Sequence, residues 1–132
     1  NASENGGFSK VRPWLPVHPN YTHRNVAGQE TDQGSMLNFT RRILQLRREY
    51  PALRCGDFNL ITRQPQNALA YLRESDGQTI LVALNFRNRS VRLDNLTAQK
   101  WELLYSPERC STPDMGRGLS LFPYEVLLLK KS

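Results

Sequence analysis

No stretch of this sequence approaches the ~20 consecutive apolar residues that a bilayer-spanning helix needs. The longest apolar runs, ILVAL (80–84) and the one inside EVLLLK (125–130), are strand-sized and bounded by polar residues. No membrane partner is expected, and no secretory signal is recognisable, so the expected compartment is the cytoplasm. Cysteine is scarce: Cys55 and Cys110 are the two present. Without a CxxC or a His–Cys cluster, no metal site is expected. The two cysteines could be bridged only if their Cα atoms came within ~7 Å, and the sequence leaves open whether they pair or stay free. Histidine is equally scarce, with His18 and His23 both in a proline-rich N-terminal stretch and neither beside an orienting partner. Ser3, Ser9 and Ser35 lack a nucleophile-elbow context. The one glycine-rich tetrapeptide late in the chain, MGRG (115–118), lacks the Lys-Ser/Thr ending of a phosphate loop and reads as a turn. No cofactor is expected.

What is present fits a globular chain. Its 132 residues are 39% hydrophobic and 23% charged, with five Phe, five Tyr and two Trp, enough for one domain of ordinary size. The net charge of +6 raises the question of nucleic acid. The densest cationic segment, RRILQLRREY, winds Arg41, Arg42, Arg47 and Arg48 around a helix instead of along a tail. A solvated basic face explains it, and no strand interleaves aromatic with basic residues, so no nucleic-acid partner is expected. Five Asn-x-Ser/Thr sequons, at Asn1, Asn20, Asn38, Asn88 and Asn95, read as chance occurrences, Asn38 falling inside a predicted helix.

The first 33 residues read as an extended loop. PWLPVHPNY (13–21) holds three prolines, a Trp and a Tyr in nine residues, which suits neither helix nor ladder strand. From Gly34 to Tyr50, Met36, Phe39, Ile43, Leu46 and Tyr50 recur at spacings of three and four, predicting a helix. Leu37 and Leu44 widen its apolar stripe enough to touch two surfaces. Asp32 or Ser35 can cap it, and Pro51 stops it. Beyond Pro51 the period falls to two. Strands are predicted at 57–62, 68–74, 78–86, 90–93, 100–106 and 124–130, with Asp76-Gly77 as a hairpin turn and 106–118 as a long polar loop before the final strand or two. The fold class expected is mainly β, an antiparallel β-sandwich preceded by one amphipathic helix and an extended loop.

Candidate chemistry is thin. Asp57, Glu74, Asp76, Asp94, Glu102 and Asp114 fall at strand ends or turns, where acids solvate, and none carries the apolar flanks that would raise a carboxyl's pKa. Trp14, Tyr21, Trp101 and Tyr105 are candidate sugar-stacking platforms. In KWELLYS, strand alternation puts Trp101, Leu103 and Tyr105 on one face and Glu102 and Leu104 on the other, which reads as core packing on the aromatic face. No catalytic, cofactor-binding or metal residue is assigned.

Longer motifs add a resemblance. NGGFS, PWLPVHPNY, NVAGQ (25–29) and SMLNFTRRILQLRREYPALRCGDF (35–58), with the ending LFPYEVLLLK, resemble the closing section of α-glucosidases of the oligo-1,6-glucosidase and maltase type. These are members of the α-amylase family, glycoside hydrolase family 13. His18 stands where the family usually has Asn, and Gly6 where it usually has Ala.

The resemblance implies that residues 1–52 are the end of a catalytic (β/α)8 barrel, as a loop (1–33) and the last barrel helix (34–50). Residues 53–132 would be the C-terminal antiparallel β-sandwich domain. The family's catalytic carboxylates lie earlier in its members, so none is carried over to a residue here. The implied function is that of a non-catalytic, barrel-stabilising part of a retaining α-glucosidase acting on α-glucosidic oligosaccharides, itself inactive. Its partner would be the catalytic barrel of the same chain. Without that barrel, either self-association through the exposed helix or loss of order in residues 1–30 is expected. The alternative is an independent carbohydrate-binding β-sandwich module.

Overall fold

The chain divides into two units, Asn1–Leu46 and Arg47–Ser132. A computed structural model describes residues 1–62, 67–94, 96, 99–116 and 118–132.

In the first unit, the prolines of PWLPVHPNY exclude regular structure until Pro19–Thr22, a single 3-10 turn in which the His18 ring accepts the Asn20 N–H. The stretch that the sequence reads as loop then holds a helix, α1, Val26–Thr31. Asn25 caps it: its side-chain oxygen accepts the Gly28 N–H at 3.0 Å while its Nδ2 donates to the Tyr21 carbonyl at 2.9 Å. Helix α2, Met36–Glu49, is the predicted amphipathic helix. Of the two candidate caps the geometry selects Ser35, whose hydroxyl accepts the Asn38 N–H and donates to the Gln29 carbonyl at 2.7 Å. Asp32 instead closes the preceding turn through the Gly34 N–H. Asn38, the sequon residue inside the helix, spends its side-chain amide on the carbonyls of Gln29 and Asp32 at 3.0 and 2.8 Å, tying α2 back to α1.

Pro51 ends α2 and also begins a helix, α3, Pro51–Cys55, at the first position, where a missing N–H costs nothing. The sequence does not predict that short helix. It lies on the strands Ala68–Ser75 and Gln78–Asn85 of the sandwich. Ala52, fully buried, accepts a hydrogen bond from Arg73 Nε through its carbonyl.

The second unit is a sandwich of five strands against two. The large sheet runs β1 (Asp57–Leu60), β2 (Ala68–Ser75), β3 (Gln78–Asn85), β7 (Val126–Lys131), β5 (Trp101–Tyr105), every neighbour antiparallel. The small sheet pairs β4 (Val91–Leu93) with β6 (Leu119–Leu121). Asp76 and Gly77 take positive φ, 49° and 75°, at the β2–β3 hairpin, the left-handed pair that a two-residue turn requires. Register assigns the faces. Ala68, Ala70, Leu81, Ala83, Leu127 and Leu129 line the inner face, and Leu93, Leu119 and Leu121 of the small sheet close over them to form the core. The small residues Ala68, Ala70 and Ala83 let the two layers approach, and leucines fill the space between.

β6 follows the long polar loop as the first of the final two strands that the sequence reading allows, and is carried by two fully buried leucines, Leu119 and Leu121. Two strands differ from the sequence reading. The last begins at Val126, because Tyr124 takes φ 56° and turns the chain before it. The other difference is a bulge in β5, where register shifts between Leu103 and Tyr105: Leu103 faces Leu129, yet Tyr105 faces Leu128. Leu129 belongs to the inner face and Leu128 to the outer, so Tyr105 leaves the face that Trp101 and Leu103 share.

Gly56 sits between α3 and β1 where a side chain has no room. A Cβ there would stand 2.5 Å from the Ala52 carbonyl oxygen and 2.7 Å from that of Glu74, both backbone atoms. Gly56→Ala is expected to cost about 1–3 kcal/mol, measured as a lower denaturation midpoint with unchanged slope. A neutral outcome would show that α3 is free to move off the sheet.

Candidate functional site

The six acids are dispersed. Asp94 pairs with Arg92 at 3.0 Å on the surface, Asp114 accepts the Gly116 N–H, Asp76 occupies the hairpin, and Glu102 is exposed. Asp57 and Glu74 are brought side by side as register partners on β1 and β2. The Glu74 carboxylate is engaged by Asn59 Nδ2 at 2.6 Å and by the Thr79 hydroxyl at 3.4 Å. His18 bonds only within its own loop, to Asn20. Cys55 and Cys110 are free and exposed. Among the described residues no group of three or more His, Cys, Asp or Glu could hold a metal ion.

The candidate aromatic platform is not assembled. Trp101 packs against the sandwich core on the inner face, and the bulge sends Tyr105 to the opposite face. Tyr21 is half-buried in the first unit beside Gly6, and Trp14 of the same unit is 92% exposed.

The most elaborate polar cluster surrounds Glu125, a residue absent from the acids that the sequence singles out. It is fully buried, yet every direction in which its carboxylate can accept is used. Arg109 grips it bidentately, with Nε on Oε1 and a terminal nitrogen on Oε2 at 2.9 Å. The Ser106 hydroxyl and the Phe122 N–H complete the shell at 3.2 and 2.7 Å. The guanidinium in turn lies 4.3 Å above the Phe122 ring and donates to the Ser120 carbonyl. Close by, Asn85, also buried, donates from Nδ2 to the carbonyls of Phe122 and Arg89. The signal was available: an acid between Tyr124 and the apolar run VLLL sits where burial is unavoidable. This cluster is fully satisfied and closed by its own side chains, so its work is to fix the corner where β6 leads into β7.

Two of the four arginines of α2 find local partners: Arg41 pairs with Glu30 at 2.9 Å, both half-exposed, and Arg47 donates to the carbonyls of Leu53 and Arg54 beyond the helix. Leu46 is fully buried and Leu37, Phe39 and Ile43 are half-buried, but other apolar residues of the first unit are not covered. Trp14, Phe8 (86% exposed), Val11, Met36 (71% exposed) and Leu44 all present large apolar surface to solvent.

Residues 1–56 match the family described as "Alpha amylase, catalytic domain", and residues 58–128 match "Maltogenic Amylase, C-terminal domain". The chain belongs to the α-amylase family. A probable oligo-1,6-glucosidase 2 of Bacillus subtilis (strain 168) is 36% identical over 137 residues, covering 100% of this chain and 24% of that protein. An α-glucosidase of Schizosaccharomyces pombe is 35% identical over 139 residues, covering 98% of this chain and 23% of its own length. Among solved structures, isomaltulose synthase from Klebsiella sp. LX3 superimposes with a TM-score of 0.85 at 30% identity, covering 100% of this chain and 24% of that one. The chain thus spans about a quarter of the length of these relatives, and it aligns with the C-terminal region of family glucosidases. The family resemblance carried by PWLPVHPNY, the helix and LFPYEVLLLK is borne out, as is the β-sandwich.

Removing the arginine from the buried pair leaves a carboxylate with no counter-charge, a change that costs about 3–5 kcal/mol. Arg109→Ala is expected to lower stability by that order in a denaturant titration. Arg109→Lys should recover only part, because an ammonium cannot span both carboxylate oxygens. Full recovery by lysine would mean that charge alone, without the fork geometry, holds the corner.

Proposed function

We propose that this chain is the C-terminal, non-catalytic part of an α-glucosidase-type glycoside hydrolase acting on α-glucosidic oligosaccharides. In that enzyme residues 1–56 complete the catalytic domain, and the sandwich stabilises it. The partner is the remainder of the catalytic domain, which supplies the reacting carboxylates. The observation that carries the reading is the apolar surface of the first unit. Phe8, Val11, Trp14, Met36 and Leu44 stand in solvent, although removing one Phe- or Met-sized side chain from water is worth about 1.5–3 kcal/mol. The backbone around these residues is nonetheless specified by caps and side-chain bonds such as those of Asn25, Ser35 and Asn38. A segment whose polar groups are satisfied while its apolar groups are not is built to be covered. The relatives' names supply the substrate class: oligo-1,6-glucosidases and α-glucosidases recur among them.

Two measurements test this. The purified chain should turn over neither maltose nor isomaltose, because glycoside hydrolysis of this kind needs a carboxylate pair held across a cleft. Met36→Gln with Leu44→Gln should act with opposite signs in two settings. In the isolated chain the pair of substitutions should reduce self-association, seen by sedimentation; in the complete enzyme it should lower the melting temperature by several degrees. Genuine turnover by the chain, or indifference of the complete enzyme to both substitutions, would overturn the assignment.

A further inference from the structure

The five-stranded sheet is longer than the lid that covers it. β2 and β3 run for eight residues each, whereas β4 and β6 have three. The small sheet closes over the Ala70–Ala83–Leu127 end of the inner face and stops short of the row Glu74–Thr79, beyond which Lys131 pairs with Trp101. At that end, beyond the reach of the small sheet's described residues, lies a pocket of about 160 Å³. Its apolar wall includes Trp101, Leu72 and Ile61, and its polar groups are Glu74, Thr79, Gln99 and Lys131.

We propose that this pocket is a subsite for one hexopyranose unit. Its volume slightly exceeds the roughly 150 Å³ of a cavity that takes up benzene, and because its edge at Gln99 and Lys131 is exposed, a hexopyranose, with twice benzene's heavy atoms, seats one face in it and leaves the other in solvent. The chemistry of the wall narrows the choice among rings. An indole and three aliphatic side chains, Ile61, Leu72 and Leu96, suit the C–H faces of a sugar. The polar groups offer both senses of hydrogen bond: a carboxylate that only accepts, an ammonium that only donates, and an amide and a hydroxyl that do both. Glu74 already accepts from Asn59 and Thr79 and keeps lone pairs for more, while Gln99 and Lys131 form no side-chain hydrogen bond among the described residues. The indole Nε1 of Trp101 is likewise buried without a partner. A free anion would meet the Glu74 carboxylate, and a purely apolar ring would leave four polar groups idle. A neutral ring bearing hydroxyls uses all of them. The site is on the sandwich and independent of the residues that carry the proposed catalytic partnership.

With Trp14→Phe, Trp101 becomes the sole tryptophan and its fluorescence reports on the pocket directly. Titration of this variant of the full chain with maltose and with glucose should give a saturable change with a dissociation constant on the order of 1 mM, the weak regime expected of one ring. Mannitol, an open-chain polyol with a hydroxyl on every carbon, and inorganic phosphate should give none. Gln99→Ala and Lys131→Ala, both exposed and outside the core, should each weaken maltose binding at least fivefold with the melting temperature unchanged. No saturable response up to 100 mM, an equal response to mannitol, a response to phosphate alone, or wild-type affinity in both variants would each overturn the proposal. Turnover measurements play no part in it, so its failure would leave the catalytic partnership standing.

Discussion

A single buried carboxylate sets the geometry of the sandwich. Glu125 lies where the chain leaves the small sheet and enters the large one, and through it three stretches are joined: the loop after β5 with Arg109 and Ser106, Phe122 at the end of β6, and its own position before β7. Leucines alone could not do this. Leu119, Leu121, Leu127 and Leu129 supply the apolar burial, but apolar contact is non-directional and would tolerate a sheet slipped by two residues. A carboxylate that must meet a guanidinium fork and a backbone N–H at fixed angles admits one register. The positive φ of Tyr124 belongs to the same device, since it aims the Glu125 side chain inward one residue before the strand begins.

What the sequence made legible follows from how local each signal is. The stripe from Met36 to Leu46 and the Asp76-Gly77 pair are decided by residues within a few positions of one another, and both appear where expected. β6 is only three residues long, so Leu119 and Leu121 give one alternation, too little to decide between one final strand and two. The bulge in β5 is less visible still. KWELLYS alternates without a flaw, and the register shift between Leu103 and Tyr105 shows only once the strand is paired with β7. The fate of Tyr105 was therefore a tertiary fact. Trp101, read from alternation as packing on the core, is half-buried against it, while the pocket beside it depends on the unequal lengths of two sheets and could not be read from any one strand.

Asn38 shows how a motif loses its meaning once geometry is known. As part of Asn-Phe-Thr it has the form of a glycosylation acceptor, but its amide nitrogen is committed to carbonyls of the α1–α2 connection, where a sugar would displace them. Asn25 and Asn38 together are what let a proline-rich, glycine-bearing segment keep one path: each spends a side chain on main-chain groups that no ladder satisfies. The first unit is thus ordered by polar bonds within short range. The sandwich is ordered by an apolar core with one polar keystone.

That contrast bears on how the two units can serve one enzyme. A segment held by local polar bonds keeps its shape while presenting Phe8, Trp14 and Met36 outward, because none of those side chains is needed for its own folding. Apolar area is then free to be spent on another surface. The inner face of the sandwich has a different arrangement: its leucines are consumed internally, so what that face can offer outward is the end that the small sheet does not reach. A five-against-two layering makes such an end unavoidable, since three-residue strands span roughly 10 Å and eight-residue strands about 26 Å at ~3.3 Å per residue. Any sandwich of this proportion must fill the difference with loop or leave it open, and where it is open the inner-face row Glu74, Thr79, Trp101 becomes surface chemistry instead of core.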